Sequence, residues 1–205
     1  MSDHPPELKK LLKDLCPLVD LIREMLGSAR HAFNRHSKAE LDKIARLQRE
    51  FTLTIDPFFL RVEDSLKSAP EARRPEFLQM QQILTHLERL ADRVASLAEP
   101  ILQKGNRGAI LSDQDFFQVN DVFTRLTGLL RTLVDLMKTA DPTLKAYILR
   151  ECDRLAEECR GERAAHESRM MDSAGQPAAW GVYVALMERF RDSLNHLRAL
   201  AESLP

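Results

Sequence analysis

The 205-residue chain reads as an all-α protein made of two three-helix bundles, and three observations predict this. Leu, Ala, Glu and Arg dominate, while the chain holds only 7 glycines and 6% aromatic residues, a balance that favours helix. Nearly every long stretch places apolar residues three and four apart, which is the helical period. One acidic pattern also occurs twice. "LERLADRVASLAEP" begins at Leu87 and carries Glu88, Arg89 and Asp92; "MERFRDSLNHLRAL" begins at Met187 and repeats Glu188, Arg189 and Asp192 at the same relative positions.

About six helices follow from the periodicity. The first spans Pro6 to Phe33, with Pro17 inside it as an expected kink or fresh start. The second begins near Ser37, with Leu41, Ile44, Leu47 and Phe51 on one face. Asp56-Pro57 is expected to interrupt it, because Asp caps and Pro suits a first helical position. "KSAPEARRPE" is a connector, and a third helix runs from Pro75 to Gln103.

"KGNRGAILSD" is the glycine-containing break, and it divides the chain into units 1–106 and 107–205. Ser112 with Asp115 is a capping pair for the fourth helix, whose buried face is Val119, Phe123, Leu126, Leu130, Leu133 and Met137. Asp141-Pro142 opens the fifth helix, which reaches about Met170. "DSAGQPAA" is a loop, and the last helix fills the remainder.

The third and sixth helices share a register. Ile83, Leu87, Leu90, Val94, Leu97 and Ile101 alternate by four and three, and so do Tyr183, Met187, Phe190, Leu194, Leu197 and Ala201. This is a coiled-coil-type seam, and its repetition points to an internal duplication.

Several functions are disfavoured. The formal net charge is −1 with basic residues scattered, so no basic face for nucleic acid is expected. The N-terminus lacks a signal-peptide apolar core, and no apolar run approaches the ~18 residues of a membrane span. A cytoplasmic protein without membrane insertion is the expectation. No GxSxG, P-loop, HExxH or CxxC motif is present, and no enzyme activity is expected. His31 and His36 do not share a helical face, and His86 and His166 have no evident carboxylate or thiol partners. Cys152 and Cys159 continue the apolar series of Ile148 and Leu155, so they read as small buried hydrophobes, roughly 10 Å apart along one helix at about 1.5 Å per residue. Trp180 opens the apolar series of the last helix and reads as a core or staple residue.

The repeated carboxylates carry the functional question. Glu88 and Asp92 share a face, as do Glu188 and Asp192. Like charges at this spacing destabilise a helix by roughly 0.2–0.5 kcal/mol. Two compensations are open. Arg89 and Arg189, each three residues before an aspartate, and Arg191 beside Glu188 could form local ion pairs. Alternatively a metal could sit on the carboxylates, with His196 extending the second stripe.

"LERLADRVASLAE" resembles the signature helix of the PhoU family of phosphate-uptake regulators, roughly LERIGDHAxNIAE, with Leu87, Glu88, Arg89, Asp92, Ala98 and Glu99 matching. "AGQPAAWGVYVALMERFRD" is similar to the family's second copy, and the fifth helix, with Asp153 and Leu155, resembles its acidic helix. The resemblance runs from about Asp14 to the end. It implies two three-helix bundles and a non-enzymatic adaptor that controls phosphate uptake through a membrane phosphate transporter and a sensor histidine kinase. A homodimer, peripheral to the inner membrane through its partner, is expected on the same ground. Related domains occur on the tails of sodium/phosphate cotransporters. The resemblance also implies multinuclear metal clusters on the acidic faces, usually of iron or zinc. Carboxylate chemistry adds Mn as a candidate, and the stripe adds His196 as an imidazole ligand, so the expected second-face ligands are Glu188, Asp192, Asp153 and His196 and the first-face ligands Glu88 and Asp92. Asp153 is expected to face the groove of Glu188 and Asp192. The chain departs from the family where Gln48 and Thr52 replace one carboxylate pair and Leu149 replaces a partner of Asp153. The family's Asn after the ERxxD element becomes Ser96 and His196.

Overall fold

The computed structural model describes the backbone of residues 6–172 and 177–205 and the side chains of 6–161 and 178–205. Seven α-helices and one short 3-10 turn make up the described residues, and no strand is present among them. They are α1 (Pro6–Arg35), α2 (Lys38–Ser68), α3 (Arg74–Ala95), α4 (Ala98–Asn106), α5 (Asp113–Thr139), α6 (Pro142–Asp172) and α7 (Pro177–Ser203). Helices α1, α2 and α3 pack on one another as one bundle, and α5, α6 and α7 as the other. The bundles join through α3 against α7 and α1 against α5.

Local sequence sets most ends. The Ser37 side chain accepts from the Glu40 N–H and starts α2. Ser112 accepts from the Asp115 N–H and starts α5. Asp141 Oδ1 accepts from the Thr143 N–H at 2.8 Å just before Pro142, so the expected Asp-Pro start of α6 is found. The Thr143 hydroxyl donates to the same oxygen at 2.7 Å, and it and the Thr143 N–H hold the Asp141 carboxyl below its usual range. Helix α4 ends in a left-handed Gly108 at φ 58°, with the Ala109 N–H reaching back to the Lys104 carbonyl. Only glycine adopts that conformation without strain, which is why the chain breaks in "KGNRGAILSD".

Two prolines lie inside the long helices α1 and α2, and a third, Pro100, in the first turn of the nine-residue α4; their burial decides their effect. A proline removes the N–H that would bond the carbonyl four residues back. Pro17 and Pro57 are exposed, and so are Lys13 and Leu53, whose carbonyls lose that donor. Water reaches those carbonyls, and α1 and α2 run through without a break. The expected interruption at Asp56-Pro57 is therefore absent. Pro100 is buried, and there the helix does break. Its missing partner is the Ser96 carbonyl, which instead accepts from the Glu99 N–H at 3.4 Å, a tighter turn. The single helix expected from Pro75 to Gln103 is thus split into α3 and α4 at Ser96–Leu97.

The core follows the expected seam. Ile83, Leu87, Leu90, Val94, Leu97 and Ile101 are buried, together with Tyr183, Met187, Phe190, Leu194, Leu197 and Ala201. Phe123 of α5 meets Phe190 edge-to-face at 4.8 Å. Cys152 and Cys159 are free and buried, and burial pushes each thiol up to about 12. Trp180 differs from expectation: it is 38% exposed, because the buried series of α7 begins with Val182 and Tyr183. His166 and residues 173–176 of the expected loop lie outside the described side chains and residues.

Candidate functional site

The two helices that repeat the acidic pattern pack against each other. Gln79 of α3 donates to the Ser203 carbonyl at 2.8 Å, whereas Arg189 of α7 reaches Glu99 at 3.2 Å. Numbers rise along one helix as they fall along the other, so α3 and α7 are antiparallel. Their buried seams face the shared core, and their carboxylates are carried to its flanks.

The first face lies on α2 and α3. Gln48 of α2 donates its amide to Asp92 Oδ1 at 3.0 Å. This places Gln48 opposite the carboxylate pair, the position that the family resemblance assigned to it. Glu88 is half-buried, and its carboxyl is pushed up by desolvation first, then by Asp92 and Asp56, with Arg89 opposing. Asp56, which the sequence presents as a helix cap, belongs to this face. The signal was available: Gln48, Thr52 and Asp56 recur every fourth residue and line one side of an unbroken α2.

The second face is not one groove. Asp153 of α6 is bound by Arg198 of α7 at 2.7 Å, and Arg198 also holds Glu202 at 2.8 Å. Arg198 lies six residues beyond Asp192, roughly 9 Å along the helix at about 1.5 Å per residue. Asp153 therefore meets α7 away from Glu188 and Asp192, contrary to the expectation of a shared groove. Asp192 lies 3.6 Å from Arg191. His196 turns to the opposite flank, where its ring lies 6.4 Å from that of His86 of α3. Of the expected second-face ligands, Glu188 and Asp192 share the outer side of α7; Asp153 and His196 are carried to its two flanks.

The arginines also behave differently from the local pairs expected. Arg189 reaches across to Glu99 of α4 instead of Asp192. Arg89 forms no ion pair with Asp92, whose oxygen takes the Gln48 amide. Arg89 lies within electrostatic reach of His86 and His196, on the α7 side of α3.

Metal chemistry can be weighed on these donors. Among the described residues, no three of His, Cys, Asp and Glu converge as a metal-holding group. The first face offers three carboxylates, Glu88, Asp92 and Asp56, which do not converge on one point, and Asp92 already accepts an amide hydrogen. On the second, guanidinium groups lie against Asp153 and Asp192. This donor set does not fit a multinuclear cluster, which needs several free carboxylates on one point.

The fold and its duplicated acidic helices define a class: all-α proteins built from two three-helix bundles. The chain superposes on the phosphate transport system regulatory protein PhoU from Streptococcus pneumoniae with a TM-score of 0.81, at 16% identity, covering 96% of this chain and 92% of that one. It is also similar to PhoU from Pseudomonas aeruginosa, with a TM-score of 0.75 at 14% identity, covering 96% and 94%. The fold is thus the one seen in PhoU, as the sequence resemblance implied. No family profile matches the chain, and no curated protein matches it in sequence. Among the described residues no helix is long and apolar enough to cross a membrane.

Proposed function

We propose that this protein is a regulatory adaptor of phosphate transport. It acts by binding a membrane phosphate transporter or its sensor histidine kinase, without catalysis of its own. The observation that carries this reading is the fold: it is shared over 96% of the chain with a phosphate transport system regulatory protein. The repeated ExxxD helices, placed back to back in one core, support it. In this reading the protein is cytoplasmic, works as a homodimer, and reaches the membrane only through its partner.

The test is affinity capture of the tagged full chain from phosphate-replete and phosphate-starved cells. The adaptor reading expects a phosphate transporter subunit or a sensor kinase to be recovered, in an amount that changes with phosphate supply. Recovery of copies of the chain alone, under both conditions, would instead favour a helical scaffold without a phosphate role. The replacement of acidic positions by Gln48, Thr52 and Leu149 is the feature that such a scaffold would explain.

A further inference from the structure

The α3–α7 seam carries a set of polar groups that neither acidic face uses. His86 and His196 face each other across it with ring centroids 6.4 Å apart, and both are half-buried. His86 Nδ1 is buried and has no hydrogen-bond partner among the described residues. Such an atom costs free energy unless a partner satisfies it. Arg89 and Arg93 are exposed beside the pair, and both lie within electrostatic reach of His196. Neither forms an ion pair among the described residues.

The acids near this groove are already engaged. Glu202 lies within electrostatic reach of His86 but is held by Arg198 at 2.8 Å. Asp192 lies within electrostatic reach of His196 and 3.6 Å from Arg191. Glu99 is paired with Arg189. Glu88 is the remaining acid beside Arg89, and it is turned toward the α2 face with Asp92 and Asp56. Two guanidinium groups that form no ion pair among the described residues thus lie beside two imidazoles. Two imidazoles could ligate a metal ion, but the guanidinium charges oppose a cation. They suit an anion, since planar N–H forks match oxyanion geometry.

We propose that His86, His196, Arg89 and Arg93 form a binding site for a small doubly charged oxyanion of the phosphate type, seated where the two bundles meet. Desolvation and the arginines push both imidazoles below their ordinary range, so near neutral pH each is uncharged and donates one ring N–H. A bound dianion favours the imidazolium form, and affinity for it rises as the imidazoles gain protons. Because α3 belongs to one bundle and α7 to the other, the anion clamps the two together. The site rests on its own groups and stands apart from the adaptor reading.

The experiment is calorimetric titration of the full-length protein with inorganic phosphate, alongside Arg89→Gln/Arg93→Gln and a Lys67→Gln control. Both arginines are exposed, so the double variant is expected to fold. Saturable binding at one ion per chain is expected, weakened roughly tenfold or more in the double variant and unchanged in the control. Imidazole NMR signals of His86 and His196 shift with phosphate in the same titration. Sulfate, a dianion across the neutral range, binds more tightly as pH falls from about 7.5 to about 6, through the range in which histidine titrates. Absence of saturable binding overturns the proposal, as does binding that the double variant leaves intact. Arginine-dependent binding of phosphatidylglycerol vesicles without binding of free phosphate also overturns it. A failed titration removes this site and leaves the adaptor reading to the capture experiment.

Discussion

The two copies of the acidic helix share one core register and handle their carboxylates in opposite ways. On α3, Glu88 and Asp92 keep their repulsion. Asp56 adds to it from α2, and the local answer is a neutral amide from Gln48. On α7 the answer is charge: Arg191 lies beside Asp192, and Arg198 gathers Asp153 and Glu202. The apolar faces show no such divergence, since both seams are buried along their length. The comparison teaches that the core constrains the seam residues strongly, whereas the acidic flanks are free to change. A lost carboxylate costs the fold little, while a lost seam leucine leaves a cavity.

The largest expected effects test the equality of the cores. Phe190→Ala should cost about 3–5 kcal/mol and Leu90→Ala about 2–5 kcal/mol, because each leaves a cavity in a fully packed site. Denaturant unfolding checks both. A loss of under about 1 kcal/mol in either would mean that one bundle is loosely packed and that the symmetry of the cores is false.

Smaller effects separate the flanks. Arg198→Gln should cost roughly 0.2–1 kcal/mol, the usual worth of exposed ion pairs, and less in high salt. Glu88→Gln should do the reverse and stabilise by roughly 0.2–0.5 kcal/mol, the scale of like-charge repulsion on a helix. The sign follows from linkage. The folded state holds the Glu88 proton more tightly than the unfolded state, so its stability falls as pH rises through the raised carboxyl range. The gain from Glu88→Gln is therefore full at neutral pH and vanishes in acid, below the ordinary glutamate range. Thermal melts at both pH values check this, and destabilisation by Glu88→Gln at neutral pH would show that the carboxylate has a favourable partner. His86 and His196 act in the other direction: their lowered values give stability that is present above the ordinary histidine range and is lost as pH falls.

Metal content sharpens the same contrast. The purified protein should carry no multinuclear iron or zinc cluster by elemental analysis, because arginines and Gln48 engage the acidic groups that such a cluster would need. Two or more tightly held ions per chain would show that the side chains rearrange around metal.

The seam, the Ser112 and Asp141 starts and the glycine break were legible because each depends on residues within one or two turns of one another. The fate of the prolines was not. Pro57 and Pro100 look alike in sequence, and only tertiary packing decides which one faces water. The acidic faces were half legible. Spacing placed Glu88 with Asp92 and Glu188 with Asp192, but it could not show on which flank of α7 Asp153 would land. Nor could it show that His86 and His196, from separate copies, would meet across the seam.

The most direct measurement for the account as a whole is phosphate uptake by cells deleted for this protein and grown with ample phosphate. The adaptor reading predicts that uptake escapes its normal repression and that the wild-type chain restores control. Uptake that matches the undeleted strain, in both ample and scarce phosphate, would contradict it.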